Sequence, residues 1–252
     1  MNIVLCGCNG QMGAAVTRAA DESGKCKIVA GIDRRPDKRQ NAYPVFSKFE
    51  ELESLAAVPD AIIDFSHPFY LSGLLDYAKT KAIPVVLATT GYSEKDDRLI
   101  NEAQKFIPMI YSHNTSRGVN VLLRLAQMAA QLMEDADIEL IEKHSRNKLD
   151  SPSGTSAMIF KALGEASGKD VEAVFGRKGR NKARNRQEIG VHSIRAGGNK
   201  SEHSLSFTNM GEMLEIRHTT FSYEIFALGA IDAARFLMGK KPGVYDFGQV
   251  VG

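Results

Sequence analysis

Ile3-Val4-Leu5-Cys6-Gly7-Cys8-Asn9-Gly10-Gln11-Met12-Gly13 is the stretch whose reading decides the fold. Four apolar residues suit a buried strand, and a turn with glycine at every third position follows. Residues 14–22 then have helical character, and residues 27–33 form a second apolar strand. Strand, glycine turn, helix and strand make a βαβ unit, whose two strands are necessarily parallel. A dinucleotide's pyrophosphate needs backbone N–H groups aimed at it and a turn without side chains in the way. Gly7, Gly10 and Gly13 provide this at a helix N-terminus, with Cys8, Asn9, Gln11 and Met12 completing the turn. The GxxGxxG spacing departs from the commoner GxGxxG, because Cys8-Asn9 separates the first two glycines, and a glycine triplet by itself also serves a purely structural turn. Asp33 adds context: it closes the next strand 20 residues after Gly13, where a carboxylate accepts hydrogen bonds from the adenosine ribose.

Arg34 and Arg35 follow Asp33 and ask for a different cofactor. The carboxylate suits the free ribose hydroxyls of NAD, whereas an arginine fork binds the 2′-phosphate of NADP. Use of NADH, NADPH or both is the expectation, with a solvated charge run before Pro36 as the alternative for the arginines. Ala61-Ile62-Ile63-Asp64-Phe65 and Pro84-Val85-Val86-Leu87-Ala88 are apolar runs suited to central parallel strands, with a helix over 71–81 between them. A helix over 94–105 and a strand at 109–111 follow. Open α/β sheets bind ligands at the carboxyl ends of such strands, which selects Ala88, Thr89 and Thr90, and Ser112, His113, Asn114 and Thr115, as candidates to border the nicotinamide and its ribose. Turn formation alone explains the same residue types.

Apolar residues recur at helical spacing over 120–133, predicting a long connecting helix, and the domain change is placed just before it. Strands over 138–142, 190–195, 203–208 and 213–219 predict a second, largely open mixed sheet that offers an oligomer interface; residues 225–238 return to an apolar helix. No internal repeat or low-complexity tract interrupts this order.

Composition excludes several classes. At 252 residues the chain buries a substantial core without disulfides. With 32 basic against 30 acidic residues the net charge is +2, so no global field favours nucleic acid or membrane. No run approaches a spanning helix, and Met1-Asn2 leads straight into the first strand, so a cytoplasmic chain is expected. Cys6, Cys8 and Cys26 offer neither zinc-ligand spacing nor a disulfide framework; reduced, partly buried thiols and no metal are the expectation. Arg177, Lys178, Arg180, Lys182, Arg184 and Arg186 form a basic run without interleaved aromatics, read as a solvated or substrate-steering segment rather than a nucleic-acid site.

The most informative segment is Glu142-Lys143-His144-Ser145-Arg146-Asn147-Lys148-Leu149-Asp150-Ser151-Pro152-Ser153-Gly154-Thr155-Ser156. An imidazole and several cations leave a strand and enter a turn that opens a helix. This combination makes a cationic pocket with an anion-binding helix start beside it, suited to a small substrate with two carboxylates. Each part also has a bland reading: a structural histidine, a surface lysine, an ordinary Ser-Gly-Thr N-cap.

The segment resembles the signature of the dihydrodipicolinate reductase family, whose usual form is E-x-H-H-x-x-K-x-D-x-P-S-G-T. The likeness spans nearly the whole chain through Gly7 to Gly13, Asp64-Phe65-Ser66-His67-Pro68, Thr89-Thr90-Gly91, Gly118-Val119-Asn120, His192-Ser193-Ile194-Arg195-Ala196-Gly197, Gly211-Glu212 with Glu215 and His218, and Lys241-Pro242-Gly243-Val244-Tyr245. It implies an α/β fold with an N-terminal Rossmann-type parallel sheet and a second α+β domain on an open mixed sheet. Residues 1–117 and 224–252 would bind the dinucleotide, and 118–223 the substrate and neighbouring subunits of a homotetramer. The implied activity is NAD(P)H-dependent reduction of a small dicarboxylate ring, 4-hydroxy-tetrahydrodipicolinate by way of dihydrodipicolinate, in lysine and diaminopimelate biosynthesis. His144 is implied as the catalytic acid and Lys148 as its partner, with Ser145, Ser153, Gly154 and Thr155 on the substrate. The chain departs from the pattern at Ser145, where the family has a second histidine, at Ser201 for a frequent glycine, and at Tyr223 for a common arginine. Another amino-acid dehydrogenase, or a catalytically silent nicotinamide-binding sensor, are the competing readings. His67, His192, His203 and His218 receive no role, and His113 none in catalysis.

Overall fold

A helix between two strands forces parallel pairing, and β1 (Asn2–Cys6) pairs in parallel with β2 (Lys27–Ile32) across α1 (Gln11–Ser23). The structure is a computed structural model that describes residues 1–168, 170–180 and 183–252. It comprises two compact units, Met1–Arg117 with Tyr223–Gly252, and Gly118–Ser222. Along the first part of the chain come β3 (Val45–Phe46), β4 (Ala61–Asp64), α2 (Leu71–Lys81), β5 (Val85–Leu87), α3 (Glu94–Ala103) and β6 (Pro108–Tyr111). The second unit contains most of α4 (Arg117–Leu132), then β7 (Asp137–His144), α5 (Gly154–Ser167), β8 (Glu172–Val174), β9 (Glu188–Arg195), β10 (Ser201–Thr208) and β11 (Met213–Thr220). The chain then returns to the first unit with α6 (Glu224–Leu237), β12 (Gly243–Tyr245) and α7 (Gly248–Val251).

The first sheet has the order β12-β6-β5-β4-β1-β2-β3, parallel throughout. From β1 the chain winds outward through β2 and β3, then returns to β4 and winds the other way. This is the order of the Rossmann-type sheet with β12 appended, and its switch point lies between β1 and β4. Every residue of β4 and β5 is buried, because helices cover both faces of a doubly wound sheet. Alternation divides the strand side chains: Ile3, Leu5, Ile63 and Val86 pack with α1 and α6, while Val4, Ile62, Val85 and Leu87 pack with α2 and α3. Each fully buried Leu or Ile contributes about 1.5–3 kcal/mol. All three cysteines are free and buried, more deeply than the sequence suggests.

In the second unit the sheet order is β11-β10-β7-β9-β8, with β10 antiparallel to both neighbours and β7, β9 and β8 parallel. Leu122, Ala126, Ala129, Ile159 and Leu163 from α4 and α5 cover one face, over Leu140, Val191, Leu205 and Phe207. The open face carries paired charges, Lys143 with Glu202 and Arg217 with Glu215. Three residues of the basic run form ion pairs here, Arg177 with Glu188, Arg184 with Glu139 and Asp137, and Arg186 with Asp135; Lys178 and Arg180 are exposed, and Lys182 lies outside the described residues. Four of the apolar positions on α4 turn outward, Val121, Leu125, Met128 and Leu132. Strands β3, β8 and β12 have no counterpart in the sequence reading, because two or three residues carry no legible alternation.

α6 lies so close to the strand ends that a Cβ on Gly229 would stand 1.7 Å from the Thr115 carbonyl oxygen. The obstacle is backbone and has no rotamer with which to yield. Gly229→Ala is therefore expected to destabilise the protein by about 2 kcal/mol or more, read as a lower urea midpoint; an unchanged midpoint would show that α6 shifts freely.

Candidate active site

The first unit has a cavity of about 430 Å³ at its switch point, lined by Gly7, Gly10, Asp33 and Arg34 and by Phe65, Phe69 and Tyr70 after β4. Gly7 is left-handed (φ +76°), and a Cβ there would meet the Phe65 carbonyl oxygen at 2.5 Å; at Gly13 it would meet Gly7 O at 2.3 Å. These two glycines allow the turn to pack on itself, whereas Gly10 meets only Gly7 O, at 3.1 Å, and lines the cavity. The buried Asn9 stitches the turn to the loop after β2. Its amide donates to the Arg35 and Pro36 carbonyls (2.7 and 3.1 Å), and its backbone N–H donates to Asp33 Oδ2 (3.1 Å). Asp33 also accepts from the Arg35 backbone N–H at 3.1 Å. Of the two arginines, Arg34 is the one that lines the cavity.

The remaining cofactor candidates divide. Cys8 is buried, and burial pushes its thiol up to about 12; Met12 packs on the core and Gln11 is exposed. At the ends of β5 and β6, Ala88 N–H donates to Asp64 O (2.9 Å) and Ser112 Oγ to Asn114 O (3.0 Å). Asn114 Oδ1 accepts from Ser116 N–H (2.9 Å), and Thr115 Oγ1 donates to Phe226 O (2.7 Å). Thr89 is buried, whereas Thr90 and His113 are exposed. None of residues 88–90 or 112–115 lines the described cavity. The sequence reading passed over Asp64, a buried carboxylate that accepts from the Ser66 N–H and hydroxyl (3.1 and 2.5 Å) and from the Tyr92 hydroxyl (3.0 Å). Burial raises its pKa against those hydrogen bonds.

In the second unit the alternation of β7 puts Ile138, Leu140, Glu142 and His144 in one row on the helix-covered side. Leu140 belongs to the apolar core and Ile138 packs against it; Glu142 and His144 continue the row beyond it. Register sets His203 of β10 and Ser193 of β9 beside Glu142, and Arg195 of β9 beside His144. Glu142 is fully buried. Its Oε1 accepts from Arg195 Nη2 (2.7 Å) and from the Ser153 backbone N–H (3.3 Å), and its Oε2 lies against His144 Nδ1. Burial pushes Glu142 up, but hydrogen bonds from Arg195 and Ser193 and the facing charges prevail and hold it below the ordinary glutamate value. Burial lowers the His144 pKa, helped by Lys148 and Arg195, while Glu142 opposes the shift.

Lys148 donates to both carboxylate oxygens of Asp150 (2.7 and 2.9 Å), and Arg195 donates to the Asp150 carbonyl (2.7 Å), closing the loop after β7. Ser153 then caps α5, accepting from the Ser156 N–H (3.1 Å), and Gly154 and Thr155 occupy the first turn. The Ser153 hydroxyl is thus committed to the cap and to His203 Nε2, 3.2 Å away, so the helix-start N–H groups are the stronger anion donors. His203 is fully buried, edge-on to His144 with ring centroids 5.4 Å apart. Ser201 Oγ lies 3.5 Å from its Nδ1, which gives the hydroxyl at this position a role. Nothing in the structure explains Ser145 or Tyr223 in place of the family's histidine and arginine.

Glu142, His144 and His203 offer donor atoms within 4.8 Å of one another, which is metal-ligand spacing. Glu142 Oε1 is taken up by Arg195 and Ser153, its Oε2 lies against His144, and Arg195 and Lys148 place positive charge beside His144, so the arrangement suits proton transfer and opposes a cation. Glu142, Arg195 and His203 were given no role from sequence. The signal for Glu142 was present: a carboxylate two residues before His144 on a half-apolar strand shares its buried face. His203 has no such signal, since only register brings it there.

Two family models match the chain, the N-terminus of dihydrodipicolinate reductase over residues 1–115 and its C-terminus over residues 118–251. The 4-hydroxy-tetrahydrodipicolinate reductase of Clostridium tetani is 40% identical over 98% of this chain and 95% of its own length. That of Caldanaerobacter subterraneus is 38% identical over 100% and 98%. Among solved structures, a dipicolinate-bound dihydrodipicolinate reductase from Paenisporosarcina superposes with a TM-score of 0.80 at 20% identity, covering 98% of this chain and 97% of that one.

Burial lowers His203 from 6.5 to about 3. Its folded value lies below its unfolded one, so the unfolded chain takes up the proton first, and the stability this neutral imidazole contributes above pH 6.5 is lost as pH falls toward 3. Between pH 7 and 5 the loss amounts to about 2 kcal/mol. Urea unfolding at both values is expected to show a smaller acid loss in His203→Gln than in the wild type, and parallel losses would remove the assignment.

Proposed function

We propose that this chain, which belongs to the dihydrodipicolinate reductase family, reduces 4-hydroxy-tetrahydrodipicolinate, by way of dihydrodipicolinate, to tetrahydrodipicolinate with NADH or NADPH. The observation that carries the reading is the close association of His144, the loop bearing Lys148 and the start of α5 around one buried carboxylate, Glu142. It unites a proton donor with an anion site, as the reduction of a ring dicarboxylate requires. The first unit is proposed as the dinucleotide-binding domain. Gly10 and Asp33 fit the pyrophosphate and ribose, and Arg34 fits a 2′-phosphate. Reduced nicotinamide, when bound, supplies the hydride.

The rest falls to the second unit. The α5 N–H groups of Gly154 and Thr155 hold a ring carboxylate, with Ser153 fixing the turn and Ser145 at its edge. His144, protonated, gives a proton to the carbon next to the one that accepts hydride, and Lys148 stabilises the anionic charge that develops. Release of the Lys148 ammonium from Asp150 accompanies this step. Outward-facing apolar residues on α4 and the open sheet face support a homotetramer. Three unpaired cysteines support a cytoplasmic setting, and no helix among the described residues is long and apolar enough to cross a membrane.

Oxidation of NADH and NADPH at 340 nm, with the ring generated from pyruvate and aspartate semialdehyde by a coupled synthase, tests the reading directly. Substrate-dependent oxidation is expected with both cofactors; cofactor binding without oxidation would leave a nicotinamide-binding sensor. His144→Gln is expected to lower kcat by about 100-fold or more while cofactor affinity stays within about twofold. Arg34→Ala is expected to raise KM for NADPH about tenfold more than for NADH; equal changes would detach Arg34 from the 2′-phosphate.

A further inference from the structure

We propose that Glu142 is a positioning residue: braced by Arg195 and by the Ser153 backbone, it holds the Nδ1 side of His144 and leaves Nε2 as the nitrogen that delivers the proton. The proposal rests on the reductase reading for its consequence in turnover, but its structural content stands apart from it. A buried carboxylate against one imidazole nitrogen decides the tautomer, because the neutral ring must carry its hydrogen where the acceptor is. Glu142 is fully buried and reaches His144 from the same strand face, two residues away.

Three features make it more than a buried ion pair. Its two oxygens have divided duties: Oε1 accepts from Arg195 and Ser153, and Oε2 faces His144. The Ser153 N–H belongs to the turn that opens α5, so one carboxylate fixes the proton donor and the anion site together. Arg195 takes up one side of the charge, so that His144 faces a carboxylate already shared and keeps a proton it can release. The groups that face the imidazole are Glu142 on β7, Lys148 on the following loop, Arg195 on β9 and His203 on β10. Of these only Glu142 is anionic. During turnover the Nε2–H bond breaks and a C–H bond forms on the substrate, with hydride completing the two-electron reduction; the ring is left neutral with its hydrogen on Nδ1, toward Glu142.

Nitrogen-15 NMR of the histidines in the wild-type protein decides the tautomer without any variant: above its pKa, His144 is expected as the Nδ1–H form, and an Nε2–H form would overturn the proposal. In Glu142→Gln the His144 titration is expected to move to lower pH by about one unit or more. The limb on which kcat/KM falls with rising pH should move with it, giving about 10- to 100-fold lower activity near neutral pH that recovers toward acid. Arg195→Gln should shift the titration the opposite way, since it removes a cation and leaves the carboxylate charge undivided. A merely structural Glu142 would lower kcat equally at all pH values and leave the His144 titration in place, which sinks the inference. Should the wild type oxidise no cofactor, the reductase reading fails by itself, and the NMR measurements still decide the role of Glu142.

Discussion

The second unit depends on one buried carboxylate. An ionised glutamate removed from water costs several kcal/mol unless hydrogen bonds and opposite charges replace its hydration. Glu142 obtains that replacement from Arg195, the Ser153 amide, Ser193 and His144. None of these is local in the chain except His144. The requirement therefore acts across β7, β9 and the start of α5 at once, fixing where the strand's apolar row gives way to chemistry and where the loop after it must return. The arrangement has its own consequence for charge: Arg195, which satisfies Glu142, and Lys148, near His144, are cationic, so the same patch that solves the burial problem presents positive potential to an anionic ligand.

The first unit solves a comparable problem with backbone. Parallel strands end with their amides and carbonyls at one edge, and the switch of winding direction between β1 and β4 leaves a crevice there. Gly7 and Gly13 let the turn fold onto its own carbonyl and onto Phe65, and Asn9 ties that turn to the loop carrying Asp33. Asp33 is thereby held by a residue within the glycine turn. Departure from the GxGxxG spacing costs nothing in this geometry, because the tight approaches fall at the outer two glycines while the middle one lines the cavity.

Sequence reading recovered the parallel sheet and the mixed sheet because apolar periodicity and glycine punctuation report what a strand or helix buries locally. It placed β1, α1, β4, α2 and the long strands of the second sheet within a few residues of their observed ends. It stopped β7 at residue 142, two short, because the apolar alternation ends there; the sheet carries Lys143 and His144 because Glu202 and Arg195 give them partners. The short strands β3, β8 and β12 were out of reach for a related reason, since pairing and not pattern makes them strands. His203 is the clearest case of information absent from local sequence. It lies 59 residues after His144, and only the antiparallel register of β10 on β7 sets the two imidazoles edge to edge.

The departures from the family pattern bear on different parts of this arrangement. Ser201 touches His203 and so belongs to the neutral imidazole that packs edge-on to His144, whereas Ser145 lies on the loop beyond β7 and Tyr223 in the first unit at the start of α6. Every partner named for His144 and Glu142 comes from the unit spanning Gly118–Ser222, and none is Ser145 or Tyr223. The groups that satisfy Glu142 and face His144 are therefore drawn from one unit.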